Sequence, residues 1–190
     1  IGATYMTLNN QFYDVVNSEI QQIAEEKGDH LITLDPALDQ EKQNDQISYL
    51  IEQNVDLIIL NPVDWIGVQK GLQAAKKAGV PVIVVDTAVY DTDMVDVTIT
   101  TDNYHAGVLC AQDMMKKRKE ANIVLLTHNR AKSGIDRIQG FTDTIKGHSE
   151  YKILTTEDTQ GQIERSLPKV EKVVENYSNI DVIMALNDPT

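Results

Sequence analysis

The stretch DLIILNPVDWIGVQKGLQAAKKAGVPVIVVD, residues 56–86, decides the fold. Its opening run, Asp56-Leu57-Ile58-Ile59-Leu60, is a short apolar segment without polar alternation, the pattern of a strand buried on both faces. Asp64 then stands where an N-cap belongs, and Trp65, Val68, Leu72 and Ala75 recur at helical spacing. Lys76, Lys77 and Gly79 carry the signature of a helix end, where cations meet the negative end of the dipole and glycine turns the chain. Pro81 to Val85 is a second β-branched run. Strand, helix and strand in that order make the βαβ unit of a parallel sheet.

The same alternation extends in both directions. Upstream, Ile1 to Met6 reads as a strand, followed by a helix with Phe12, Val15, Val16, Ile20 and Ile23 at helical spacing and Gly28 just past its end. A strand at Leu31 to Leu34 and a helix carrying Ile47, Leu50 and Ile51 come next. Downstream, Val95 to Thr100 is a fifth strand. A second series then begins with a helix from Asn103 to about Arg118 and a strand at Asn122 to Leu126. Ser133 is placed to cap a helix bearing Ile135, Ile138, Phe141 and Ile145, with Gly147 after it. A strand at Tyr151 to Thr155, a helix with Ile163, Leu167, Val170 and Val174, and a strand at Asp181 to Ala185 complete the series. The fold class is therefore α/β, with two doubly wound parallel-sheet lobes. The N-terminal lobe is expected at 1–102 and the C-terminal lobe at 103–190, with the crossing at Thr101-Asp102-Asn103 and no Pro- or Gly-rich linker between them. Only three strands fall in the second series, which predicts that this lobe is incomplete.

Composition removes several functions. The formal net charge of −12 argues against a nucleic-acid surface, which needs clustered Lys and Arg. The one basic run, Lys116 to Lys119, falls at an expected helix end and complements its dipole. Cys110 is the single cysteine, so no internal disulfide forms and no cysteine-based metal site exists, and its apolar neighbours predict a buried role. The four histidines, His30, His105, His128 and His148, are scattered without metal-ligand spacing, and no metal is expected. His128 follows a strand but reads as a loop residue without a function. No Gly-rich phosphate loop and no Gly-x-Ser-x-Gly elbow is present, so no cofactor and no catalytic constellation is expected. No apolar stretch is long enough to span a bilayer. Ile1 already reads as core strand rather than signal peptide, which leaves room for an export signal removed upstream.

In an open parallel sheet, ligands bind beyond the carboxyl ends of the strands, where strand order reverses. The residues at those ends are Thr7 to Tyr13, Asn61 to Asp64, Asp86-Thr87, Thr101 to Asn103 and Asn187-Asp188. Amides donate and accept together, a carboxylate accepts two hydroxyl donors, and an aromatic ring covers the C–H face of a sugar. That chemistry suits a neutral polyol. Asp64 and Asp102 read as helix caps, whereas the recurrence of Asn10, Asn61, Asp86 and Asn187 at strand ends favours ligand contact.

These residues resemble those of a known family. Thr7-Leu8-Asn9-Asn10-Gln11-Phe12-Tyr13 is similar to the opening ligand loop of ribose-binding-type solute receptors, the type I periplasmic binding proteins. Leu60-Asn61-Pro62-Val63-Asp64 matches their Asn-Pro-x-Asp segment, and Gly79 to Ile83 followed by Asp86 their fourth strand and its carboxylate. Thr101-Asp102-Asn103 with Gly107 resembles their first hinge crossing. Arg137-Ile138-Gln139-Gly140-Phe141 resembles the second-lobe helix that offers an arginine, and Ala185 to Asp188 the strand end that offers an asparagine. The resemblance implies sugar contacts at Asn10, Phe12, Tyr13, Asn61, Asp86, Arg137 and Asn187, and a hinge at Thr101, Asp102 and Asn103. It further implies a monomeric, extracytoplasmic receptor that closes on a monosaccharide or related polyol and delivers it to the membrane permease of an ABC importer. Thr87 stands where ribose receptors often have arginine, and losing that bidentate donor changes which hydroxyl pattern is held, so the resemblance does not imply ribose itself. The region 159–161, where the family can place another aromatic, has none. The effector domain of a lac-repressor-type regulator shares this fold and is the alternative.

Overall fold

The run at 56–60 forms the middle strand of a five-stranded parallel sheet in the computed structural model, which describes residues 1–188 and 190. The chain divides into two compact units, Ile1–Thr100 and Thr101–Thr190. The first contains β1 (Gly2–Thr4), α1 (Gln11–Lys27), β2 (Ile32–Leu34), α2 (Gln40–Glu52), β3 (Ile58–Leu60), α3 (Gln69–Ala78), β4 (Val82–Asp86), a 3-10 turn at Thr92–Met94 and β5 (Val97–Thr100). The sheet order is β2-β1-β3-β4-β5. Ala3 pairs with Thr33 on one side and Ile59 on the other, so the chain leaves β1 in one direction and returns to pair on its opposite edge. Right-handed crossovers then put α1 on one face and α2 and α3 on the other. Ile47 and Leu50 of α2 and Leu72 and Ala75 of α3 pack on Ile58, Leu60, Val82 and Val84. Each of the Val, Leu and Ile side chains among them contributes about 1.5–3 kcal/mol by burial.

The second unit contains α4 (Asn103–Lys117), β6 (Ala121–Thr127), α5 (Lys132–Ile145), β7 (Tyr151–Asp158), α6 (Ile163–Asn176) and β8 (Val182–Ala185). Its sheet is parallel, in the order β7-β6-β8. Ala111, Met114, Phe141 and Ile145 from α4 and α5 pack with Ile123 and Leu125, while Val173 of α6 packs with Val124 and Leu126. The central strand thus alternates its side chains between two helical layers, as its period of two requires. Helices α4 and α5 touch backbone to backbone. A methyl group built on Gly107 would lie 1.9 Å from the Arg137 carbonyl oxygen, and one on Gly140 2.0 Å from that of Tyr104.

Four readings of the sequence need correction. Asp64 does not cap α3, whose N-cap is Val68 without a side-chain bond. Its carboxylate instead accepts from the backbone of Ile66 and Gly67 and closes a turn that precedes the helix. Ser133 lies inside α5, and the N-cap is Ala131. Cys110 is exposed, because α4 buries Asn103, Gly107, Ala111 and Met114, a stripe that leaves residue 110 outside it. Most of the apolar positions of α1 and α6 lie outside the buried rows: Phe12, Val15, Ile23, Ile163, Leu167 and Val174 are exposed, whereas Val16, Ile20 and Val170 are half-buried. Tyr13 and Ala24 carry the buried side of α1, and Ser166 and Val173 that of α6. In each helix the inner row is offset from the apolar one, and a residue adjacent in sequence is rotated by about 100°.

The α4–α5 contact yields a direct expectation. Gly140→Ala forces two backbones apart and should lower unfolding stability by about 1–3 kcal/mol, the usual cost of overpacking. Urea unfolding checks this, and an unchanged midpoint would mean that the helices are not so close.

Candidate ligand-binding site

The reversal of strand order at β1 opens the crevice between the carboxyl ends of β1 and β3, and the side chain that fills it is Asn61. Asn61 is fully buried. Its Oδ1 accepts from the Met6 backbone at 3.1 Å, after β1. Its Nδ2 donates to the Val85 carbonyl at 3.1 Å and to Asp86 Oδ2 at 3.2 Å, at the end of β4. One amide therefore ties three adjacent strands together at the edge where a ligand would enter.

Asp86 is held at several points. Its φ is +69°, a left-handed conformation uncommon for a residue with a side chain, although Asp tolerates it better than most. The Thr87 N–H donates to the Val85 carbonyl at 2.9 Å, closing a three-residue turn centred on Asp86. Thr100 Oγ1 donates to the Asp86 carbonyl at 2.7 Å. The Tyr13 hydroxyl donates to Asp86 Oδ2 at 3.2 Å, the same oxygen that Asn61 engages. Burial first, and then the Asp86 charge, hold the Tyr13 phenol well above its ordinary value, so it is a hydrogen donor at neutral pH.

The two aromatic residues of the opening loop separate into different environments. The Phe12 ring is 51% exposed, whereas Tyr13 is 5% exposed. Tyr13 stacks on Tyr5 at 6.0 Å between centroids and meets Phe12 edge-on at 5.2 Å. Burial pushes the Tyr5 phenol up to about 12. Asn10 is the N-cap of α1, and its Oδ1 accepts from the Phe12 N–H at 3.0 Å. It orients the start of the helix that presents both rings.

In the second unit the strand order reverses at β6, so the loops after β6 and β8 flank its switch point. Asn187 follows β8, and His128, which is buried, follows β6. Gly161, at φ +65°, lies between them: a methyl group there would be 3.2 Å from Asn187 Nδ2 and 3.7 Å from His128 Nδ1. The absence of a side chain at 161 lets Asn187 come this close. Arg137 donates to the Leu186 carbonyl and to Asn103 Oδ1, which fastens α5 to the residue before Asn187 and to the first residue of α4. Asn103 in turn donates to the Thr101 carbonyl at 3.0 Å, and Asp102 caps α4 by accepting from the His105 N–H at 2.9 Å.

Part of this construction has no motif in the sequence. Three buried amides of α2 clamp the loop after β3. Gln43 Nε2 donates to the Asn61 carbonyl at 2.9 Å and its Oε1 accepts from the Val63 N–H at 2.8 Å. Gln40 Oε1 accepts from the Asp64 N–H at 2.7 Å, and Asn44 bridges the Gly67 carbonyl and the Gly71 N–H at 3.2 Å each. Gln and Asn on a helix read as a solvated face. Their only sequence signal is that they recur on one side of a helix whose other buried positions are Ile47 and Leu50.

Fold and site define a class of protein: open parallel α/β units that gather polar side chains at the carboxyl ends of their strands, around a switch point. A model of the periplasmic binding protein domain matches residues 1–190, and the chain belongs to that family. It is 26% identical over 190 residues to the ribose import binding protein of Bacillus subtilis (strain 168), covering 99% of this chain and 61% of that protein. It is 32% identical over 176 residues to the galactofuranose-binding protein of Escherichia coli (strain K12), covering 87% of this chain and 54% of that one. A Mycobacterium smegmatis structure in complex with beta-D-fucofuranose superposes with a TM-score of 0.87 at 31% identity, covering 99% of this chain and 64% of that one. The chain thus spans about three-fifths of the length of the curated ribose relative.

The amide clamp carries its own expectation. Gln43→Leu keeps the volume but leaves the Val63 N–H and the Asn61 carbonyl without these partners. Each buried group so stranded costs about 1–3 kcal/mol. Denaturant unfolding should show a loss of about 2–6 kcal/mol for the two groups together, and a variant as stable as the parent would contradict the clamp.

Proposed function

We propose that the chain is the gripping part of an extracytoplasmic receptor that closes on a monosaccharide or related polyol and delivers it to the membrane permease of an ABC-type importer. The observation that carries this reading is Asp86: a carboxylate at the carboxyl end of β4, oriented by Asn61 and Tyr13. A fixed carboxylate is suited to sugar hydroxyls, which are directional donors. The exposed Phe12 ring supplies the apolar surface on which the C–H face of a sugar stacks. The relatives support the same class, since their names specify ribose and galactofuranose and a related structure contains beta-D-fucofuranose.

The two units act as the two lobes, with the hinge at Thr101, Asp102 and Asn103. Asn187 is the second-lobe sugar contact, and Arg137 both contacts the sugar and supports the loop that carries Asn187. Closure follows when the sugar interacts more strongly with the closed state than with the open one. Neither unit is asked to perform chemistry: the receptor works as a monomer that binds without turnover.

A thermal-shift screen of the chain against D-ribose, D-xylose, D-galactose, D-fucose and myo-inositol tests the reading. A sugar at a thousand times its Kd should add about 4 kcal/mol of stability, a rise of several degrees. Asp86→Gly removes the carboxylate while suiting the left-handed backbone. It should retain a cooperative unfolding transition and weaken binding by about 1.5–3 kcal/mol. No shift with any of the five sugars, or full affinity in Asp86→Gly, would contradict this assignment.

A further inference from the structure

Tyr13 lies where a ring is expected to cover the sugar, yet the fold uses it differently. Its ring is 5% exposed and packed on Tyr5, while the neighbouring Phe12 is 51% exposed. What Tyr13 directs towards the site is its hydroxyl. That hydroxyl reaches from α1 to the end of β4, donating to Asp86 Oδ2 at 3.2 Å between residues 73 positions apart in sequence. Asn61 donates to the same oxygen from the end of β3, also at 3.2 Å. Two donors on one oxygen, from two different elements, fix the rotation of the carboxylate about its Cβ–Cγ bond. The backbone beneath it is fixed as well, by the turn at φ +69° and by the bond from Thr100.

From this geometry we infer that Tyr13 is a positioning residue: it orients the Asp86 carboxylate and thereby sets which hydroxyl arrangement a sugar must present. The inference rests on the reading of Asp86 as a sugar contact given under Proposed function. A sugar ring holds each hydroxyl oxygen at a definite position, and epimers differ in the configuration of one hydroxyl-bearing carbon. A carboxylate free to rotate adapts to several epimers, whereas one clamped at Oδ2 favours the epimer that matches its plane. Preorganisation of this kind raises affinity for the matching ligand by removing the cost of ordering the group on binding. Burial and the charge of Asp86 keep the phenol protonated at neutral pH, so Tyr13 stands there as a donor to the carboxylate.

The test is a double-mutant cycle by isothermal titration on the full chain, with D-ribose, D-xylose, D-galactose, D-fucose and myo-inositol as probes. Tyr13→Phe retains the ring and its packing and deletes only the hydroxyl. Binding of the tightest probe should weaken roughly tenfold, as expected for loss of one charge-assisted hydrogen bond, while weaker probes lose less and the selectivity across the panel narrows. In the Asp86→Gly background, Tyr13→Phe should have no further effect. Equal weakening of every probe, the same loss in both backgrounds, or no loss in the parent would overturn the inference while leaving Asp86 as a contact. If Asp86→Gly itself binds as tightly as the parent, or the parent binds none of the probes, the underlying reading falls and the inference falls with it.

Discussion

The first unit depends on the side chain of Asn61. An amide buried at the reversal of a parallel sheet is costly unless its donors and acceptor are all engaged. Here the Met6 N–H, the Val85 carbonyl and the Asp86 carboxylate engage them. Because those partners lie after β1 and at the end of β4, the bonds form only when the strands are in register, so the polar group specifies the pairing that the apolar core merely permits. The α2 amides extend the same logic by holding the loop that carries Asn61. The crevice is a polar network in which each bond constrains the next, and networks of this kind confer rigidity when fully satisfied.

That rigidity bears on function. A receptor that discriminates among epimeric sugars has to hold its acceptors at fixed angles, since epimers share composition and differ only in the configuration of a hydroxyl-bearing carbon. In the receptor proposed above, Asp86 meets this demand through a side chain clamped on one oxygen and a backbone held in an uncommon conformation. Strain at such a position is tolerated where the surroundings over-determine it. The second unit shows related economy around Asn187. Gly161 has no side chain to intrude there, and Arg137 anchors the preceding residue to α5.

Much of the fold was legible from period and punctuation. The βαβ reading of 56–86 holds, and the order of strands and helices in both units follows the apolar runs and the glycines after them. The failures are local and share a cause: periodicity reports how apolar residues are spaced, not which neighbour an element receives. In α1 and α6 the apolar row and the buried row differ by about one residue, and Cys110 falls beside the inner stripe of α4 rather than on it. At the site, Asn10, Asn61, Asp86 and Asn187 could be named because strand ends are visible in sequence. The bonds that Asn10 and Asn61 make within the fold could not. Asn10 caps α1, Asn61 is spent on backbone and carboxylate, and Tyr13 offers its hydroxyl rather than its ring. Each role depends on a partner distant along the chain. Gln43 and Asn44 left only their spacing along α2 for the same reason, because nothing in a polar helix position states that a loop will cover it.

The most direct measurement of the central claim is a crystal structure of the chain with the sugar that it binds most tightly. A sugar hydroxyl should lie within hydrogen-bonding distance of the Asp86 carboxylate, with Tyr13 and Asn61 still on Oδ2 and the Phe12 ring against a C–H face. A sugar bound away from Asp86, or a carboxylate rotated off Tyr13 to receive it, would contradict the claim.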